Sequence, residues 1–194
     1  MSPPYAESAR LILNTSQNFG ANLDLCLLAA AAGSNQCLDG FPSVRDFLVQ
    51  AGIDPLGIFS SVGDGGSEVE RTTMRSAIQL LTYWKRQPGF ARFKSAFGVP
   101  GVHGTESDQL LDSPARGKIF GKSGNRFGGD VLNGNRPVVL GSAFIGYLDL
   151  GQDKTAIFAI YVGTPATLNL AEGFDVFHDL IKISGLFWED LAGH

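Results

Sequence analysis

The chain has 194 residues, 44% hydrophobic and 18% charged, with 15 Lys and Arg against 19 Asp and Glu. That length suits one domain with a sizeable core, and the apolar share excludes an intrinsically disordered tail. A net charge of −4 without any basic stripe removes the electrostatic footprint of a nucleic-acid-binding protein, so no nucleic-acid partner is expected.

A short helical face over Tyr5 to Leu13 opens the pattern and stops at the polar run Asn14-Thr15-Ser16-Gln17-Asn18. Phe19 to Ala32 follows, with Leu23, Leu25, Leu27 and Leu28 among alanines and a stop at Gly33, and reads as a buried helix. A third helix is predicted over Ser43 to Gln50, capped by Ser43 and ended by Gly52. A fourth begins at Thr72 or Thr73 and carries Met74, Ala77, Ile78, Leu81 and Trp84 on one face before Pro88. From Gly117 the period becomes that of strands: Lys118 to Ser123, Val138 to Leu150 and Thr155 to Val162, with a polar turn from Asp149 to Lys154. Leu170 to Trp188 returns to helical spacing through Phe174, Phe177, Leu180 and Ile181 and should close on the sheet. Helices, then an antiparallel meander, then one helix describe an α+β arrangement.

The 25 glycines are nearly double the usual share of about 7% and follow no collagen-like period. The longest strongly apolar stretch, Leu23 to Ala32, contains Asp24 and falls far short of the roughly 20 residues of a membrane span. Met1 leads into Ser2, Pro3 and Pro4 without a basic and then apolar segment, so no signal peptide is expected in this chain. Cys26 and Cys37 fit neither a Cys-x-x-Cys pair nor a zinc site and offer one optional disulfide.

Gly121-Lys122-Ser123 invites a P-loop reading, but the loop lacks its first glycine, because Arg116 stands there, and no helix follows. His103, His178 and His194 have no metal-ligand spacing, and Asn14-Thr15-Ser16 matches the glycosylation pattern no better than chance would. Asp64-Gly65-Gly66 reads as a tight turn needing positive φ. By itself Ser16-Gln17-Asn18 would be a helix cap, and Lys122 a solvated strand-edge charge.

In order and in context, these patches say more. Ser16-Gln17-Asn18 between two helices, Lys122-Ser123-Gly124 on the first strand, the segments 98–105 and 113–118 before it, and the paired runs 141–146 and 156–162 are similar to the C-terminal part of the D-alanyl-D-alanine carboxypeptidase/endopeptidase family of low-molecular-mass penicillin-binding proteins. The Ser2-Pro3-Pro4 lead-in also resembles that family, and the likeness spans most of residues 2 to 188. It implies the C-terminal portion of a β-lactamase/transpeptidase-like domain: residues 1–116 mainly helical with the Ser-x-Asn loop, residues 117–194 with the Lys-Ser-Gly strand and closing helix.

The resemblance implies roles. Ser16 would pass a proton toward the leaving amine, Asn18 would hydrogen-bond the substrate peptide, and Lys122 would set a positive charge near the substrate's terminal carboxylate and near Ser16. Ser123 would donate a hydroxyl, Gly124 would let a substrate lie along the strand edge, and the Asn125 N–H would form half of an oxyanion hole. No cofactor or metal is implied. The expected partners are a peptidoglycan stem peptide or a β-lactam, with the family's preceding half or a second copy covering exposed apolar surface. The family's compartment is periplasmic or extracellular, which permits a disulfide, and the turn at residues 34–36 should let Cys26 and Cys37 approach.

Three departures stand out. The family's nucleophile lies in Ser-x-x-Lys, yet three positions before the six lysines stand Thr82, Ala91, Ala115, Ile119, Gly151 and Asp179, none of them serine. The chain is therefore expected to be a C-terminal piece that does not acylate, or else a non-acylating accessory protein. Ser123 replaces the usual Thr, and Asn125 replaces a small hydroxyl residue while keeping its N–H.

Overall fold

A computed structural model describes residues 5–67, 69–165 and 167–193. Its chain divides into two compact units, Met1–Ala96 and Phe97–His194. The lead-in 2–4 and His194 lie outside the described residues.

In the first unit, α1 (Tyr5–Thr15) and α2 (Asn18–Ala31) meet at a corner made of Ser16 and Gln17. Past α2, Gly33 takes φ +86°, the left-handed conformation that ends a helix, and Ser34 N–H returns to the Ala29 carbonyl at 2.9 Å. A 3₁₀ turn at Cys37–Gly40 then brings the chain back against α2, where Cys26 and Cys37 are disulfide-bonded with Cα atoms 4.0 Å apart. Gly40 makes this approach possible, since a Cβ there would stand 2.3 Å from the Leu25 carbonyl oxygen. The sequence reading of α2 as a buried helix needs correction. Only Leu25 and Ala29 are buried, while Phe19, Leu23, Leu27 and Leu28 are exposed. Leucine and alanine on every side make a helix apolar all round, but the chain packs one face of it.

Helix α3 (Phe41–Gln50) begins two residues before the expected Ser43. Pro42 suits the first turn because its missing N–H has no helical partner there, so Gly40 precedes the helix and Ser43 is not its cap. Gly52, at φ +72°, ends it as expected. Two short strands unseen in the sequence, β1 (Ile58–Phe59) and β2 (Arg71–Thr72), pair antiparallel and close the loop between them. Helix α4 (Met74–Lys85) is capped by Thr73, whose hydroxyl oxygen accepts from Ser76 N–H at 3.1 Å. A further short helix, α5 (Phe90–Ser95), stacks Phe93 on Trp84 with centroids 4.5 Å apart.

The second unit is a three-stranded antiparallel meander in the order β3 (Ile119–Asp130), β4 (Arg136–Asp149), β5 (Thr155–Gly163), covered on one face by α6 (Leu170–Ala192). Strand β3 runs well past the expected Ser123. Its glycines at 124, 128 and 129 hide the strand period, and pairing with β4 imposes the conformation. Asn169 caps α6, accepting from Glu172 N–H at 3.0 Å. The core joins Ile119, Phe144, Leu148 and Phe158 of the sheet to Phe177, Leu180, Ile181 and Trp188 of the helix. Each such side chain contributes about 1.5–3 kcal/mol on burial. Trp188 also donates its indole N–H to the Asp149 carbonyl at 2.6 Å, tying the end of α6 to the end of β4. Among the described residues no helix is long and apolar enough to cross a membrane.

Candidate active site

Strand β3 is an edge strand. On its outer side Gly121 N–H donates to the Gly98 carbonyl at 2.9 Å. In an antiparallel ladder the backbone groups of alternate residues point the same way, so the N–H and C=O of Ser123 and Asn125 follow those of Gly121 to the outer edge. The register slips only between Arg126 and Phe127, beyond this stretch. Asn125 thus presents its N–H outward. Its side-chain oxygen accepts from the hydroxyl of Ser142, its buried opposite number on β4, which holds the amide against the sheet.

Side-chain alternation separates Lys122 from Ser123. Ser123 pairs with Phe144 and shares the helix-covered face; Lys122 pairs with Ile145 on the other face. The Lys122 ammonium donates to the Ser123 carbonyl oxygen at 2.7 Å, bending over the edge. Burial pushes Lys122 below the ordinary lysine range, and the Glu106 carboxylate opposes that shift. A Cβ at Gly124 would meet nothing within 4 Å among the described residues. Three residues earlier, Gly121 does need to be glycine, since a Cβ would strike the Phe144 ring at 2.2 Å.

Ser16 and Asn18 belong to the first unit, at the α1–α2 corner, and both are exposed. Ser16 has φ +55°, a left-handed conformation uncommon for serine, and turns the chain between the helices. Gln17 caps α2, its side-chain oxygen accepting from Gly20 N–H at 2.8 Å, and Asn18 is the first helical residue. The capping role expected within Ser-x-Asn therefore falls on the middle residue. The structure gathers Lys122, Ser123, Gly124 and Asn125 on one strand of the second unit and Ser16 and Asn18 at one corner of the first.

Asp64-Gly65-Gly66 is the expected turn, with Gly65 at φ +71° and Asp64 accepting from Gly66 N–H at 2.8 Å. The sequence reading missed Glu106 and Ser142. A single glutamate in a glycine-rich loop looks solvated, and a serine in a β-rich run looks like filler. Among the described residues no cluster of His, Cys, Asp or Glu could hold a metal ion.

Comparison with known proteins adds a family and a fold. The D-Ala-D-Ala carboxypeptidase 3 (S13) family matches residues 1–162. The fold is similar to that of penicillin binding protein 4 from Haemophilus influenzae, with a TM-score of 0.76 and 16% identity, over 98% of this chain and 40% of that one. It is also similar to the same protein complexed with a novel β-lactam, with a TM-score of 0.74 and 17% identity, over 94% of this chain and 42% of that one. The chain thus spans about two-fifths of the length of those structures. No curated protein matches it by sequence.

Proposed function

The chain belongs to the D-Ala-D-Ala carboxypeptidase 3 (S13) family, and we propose that it supplies the substrate-gripping part of a serine-type D-Ala-D-Ala carboxypeptidase/endopeptidase acting on peptidoglycan stem peptides. In this reading the peptide lies along the outer edge of β3 as an added strand, hydrogen-bonded to Ser123 and Asn125. The Lys122 ammonium and Ser123 hydroxyl hold its terminal carboxylate. The Asn125 N–H faces the carbonyl oxygen that becomes negative when a serine attacks, and Gly124 leaves room for the peptide backbone. In the same reading Ser16 relays a proton to the departing D-alanine amine and Asn18 holds the peptide amide. No cofactor or metal enters the reaction.

One observation carries the reading: in a chain of this family, Lys-Ser-Gly stands on an open strand edge with the backbone of Ser123 and Asn125 facing outward. The family's other requirement, a serine three residues before a lysine, is met nowhere in the 194 residues. This favours a chain that grips a stem peptide or β-lactam without acylation by a lysine-activated serine, either as the C-terminal part of a longer enzyme or as a non-acylating accessory protein. The Cys26–Cys37 disulfide supports a periplasmic or extracellular setting.

A labelled penicillin tests this. Reversible capture that is lost on denaturation, and weakened at least about tenfold by Lys122→Ala, is the expected result. A label that survives denaturation would reveal a nucleophilic serine and overturn the non-acylating reading. A sharp monomeric melt would favour the accessory protein, and self-association through the exposed Leu186, Phe187 and Leu191 of α6 the part of a longer enzyme.

A further inference from the structure

Glu106 is 1% exposed, and neither of its carboxylate oxygens has a hydrogen-bond partner among the described residues. A carboxylate removed from water at a cost of several kcal/mol persists only where a cation compensates it; otherwise it carries a proton. The loop that holds it is fastened beside Lys122. Gly121, the residue before Lys122, donates to Gly98, Gly117 donates to Pro100, and the Glu106 carbonyl accepts from the N–H groups of Gly101 and Gln109. The other titratable groups on these elements are His103, Asp108, Asp112 and Arg116 on the loop, Lys118 just before β3, Arg126 and Asp130 on β3, and Arg136, Tyr147 and Asp149 on β4. His103, Asp108, Asp112, Arg116 and Lys118 are exposed, Arg126, Asp130, Arg136 and Asp149 are partly so, and the phenol of Tyr147 is kept neutral by burial. Glu106 is the one buried acid of this set, and its charge acts on Lys122 across space.

We propose that Glu106 is a positioning residue for the reaction: an ionised, buried counter-charge that keeps Lys122 as an ammonium ion at the edge of β3, fit to hold the carboxylate of a stem peptide or β-lactam. The inference rests on the role given to Lys122 above. Burial alone drives a lysine toward the neutral amine, which cannot hold an anion by charge. A fixed anion nearby reverses that tendency.

Glu106→Gln removes the charge and keeps the shape. With a fluorescent penicillin as probe, its binding should weaken about tenfold above neutral pH, and the basic limb of the pH profile should move down by about one unit. Glu106→Asp should restore most of the affinity. An unchanged basic limb in folded E106Q overturns the proposal. Where E106Q does not fold, carbon NMR of the Glu106 carboxyl in the unaltered chain decides the same point: a carboxylate near neutral pH supports the proposal, and a carboxyl still protonated there overturns it. Lys122→Ala separates this idea from its premise. If penicillin binding survives K122A, the role of Lys122 falls and this inference with it; if K122A weakens binding while E106Q leaves the pH profile unmoved, only the role of Glu106 falls.

Discussion

In the second unit the fully buried side chains Ile119, Phe144, Leu148 and Ile181 come from β3, β4 and α6, so contacts between residues far apart in sequence hold the fold. In the first unit the buried apolar residues are fewer and smaller, Leu25, Ala29, Leu48, Ile53, Ala77 and Leu81, and polar staples fasten the loops. Asn22 accepts from Gly63 and Asp64 N–H and donates to Asp64, Glu70 gathers Ser61, Val62 and Ser67, and the disulfide ties α2 to its return turn. In the proposed reading the two designs suit different duties. A strand edge that binds a peptide in register must be rigid along its length, which a packed sheet provides. A Ser-x-Asn corner needs two residues in place, which local bonds can secure.

The comparison breaks most visibly in the sheet. Phe144→Ala should cost about 3–5 kcal/mol in chemical denaturation, because its site is closed by Phe158 and Gly121 and cannot collapse cheaply. Gly146→Ala should disturb the same unit by another route, since a Cβ would stand 2.0 Å from the Phe120 carbonyl oxygen and force β3 from β4; hydrogen exchange along β3 reads this out. Next in size is the disulfide. Cys26 and Cys37 are 11 residues apart, and replacing both by serine should cost about 2–3 kcal/mol, with faster exchange confined to residues 5–96. Asn22→Ala leaves two N–H groups without their acceptor and should cost about 1–2 kcal/mol, with protease sensitivity rising near Gly63.

The smallest effect is one of pH. Burial would raise the Glu70 carboxyl, but hydrogen bonds from Ser61 N–H, the Ser60 and Ser61 hydroxyls and Val62 N–H outweigh it and hold the group below the usual glutamate range. Its folded value lies below its unfolded value, so its contribution to stability is present above the unfolded value of about 4.3 and is lost as pH falls through the folded one. Acid should therefore loosen the loop between β1 and β2 before it touches the sheet. In Glu70→Gln that acid-dependent loosening should vanish, as proteolysis across the pH range would show.

Legibility followed the same division. The meander, its second turn and α6 could be read from the sequence because Val, Ile, Phe and Tyr alternating over eight or more residues fit a half-buried strand and little else, and the spacing of α6 fits only a helix. The far half of β3 could not, because Gly124, Gly128 and Gly129 carry no period and adopt strand geometry through their partners on β4. Helix α5 and the β1–β2 pair were invisible for want of length. The Lys-Ser-Gly triplet was legible as a motif. That Ser123 and Asn125 turn their backbone outward, while Lys122 and Ser123 point to opposite faces, depends on the Gly98–Gly121 contact and the β4 register.

By itself, then, the sequence determined the order of the long helices and of the meander strands, the closing helix, the turn at Gly65 and the residues of the Ser-x-Asn and Lys-Ser-Gly patches, because these rest on local periodicity, on glycine's access to positive φ and on the spacing of named side chains. Only the tertiary structure decided which face of α2 is buried, that Gln17 and not Ser16 caps that helix, that β3 is an open edge, and that Glu106 lies buried where its charge reaches Lys122. Each of those depends on which distant atoms fill the space around a residue, and burial and charge coupling are properties of that space rather than of the residue's neighbours in the chain.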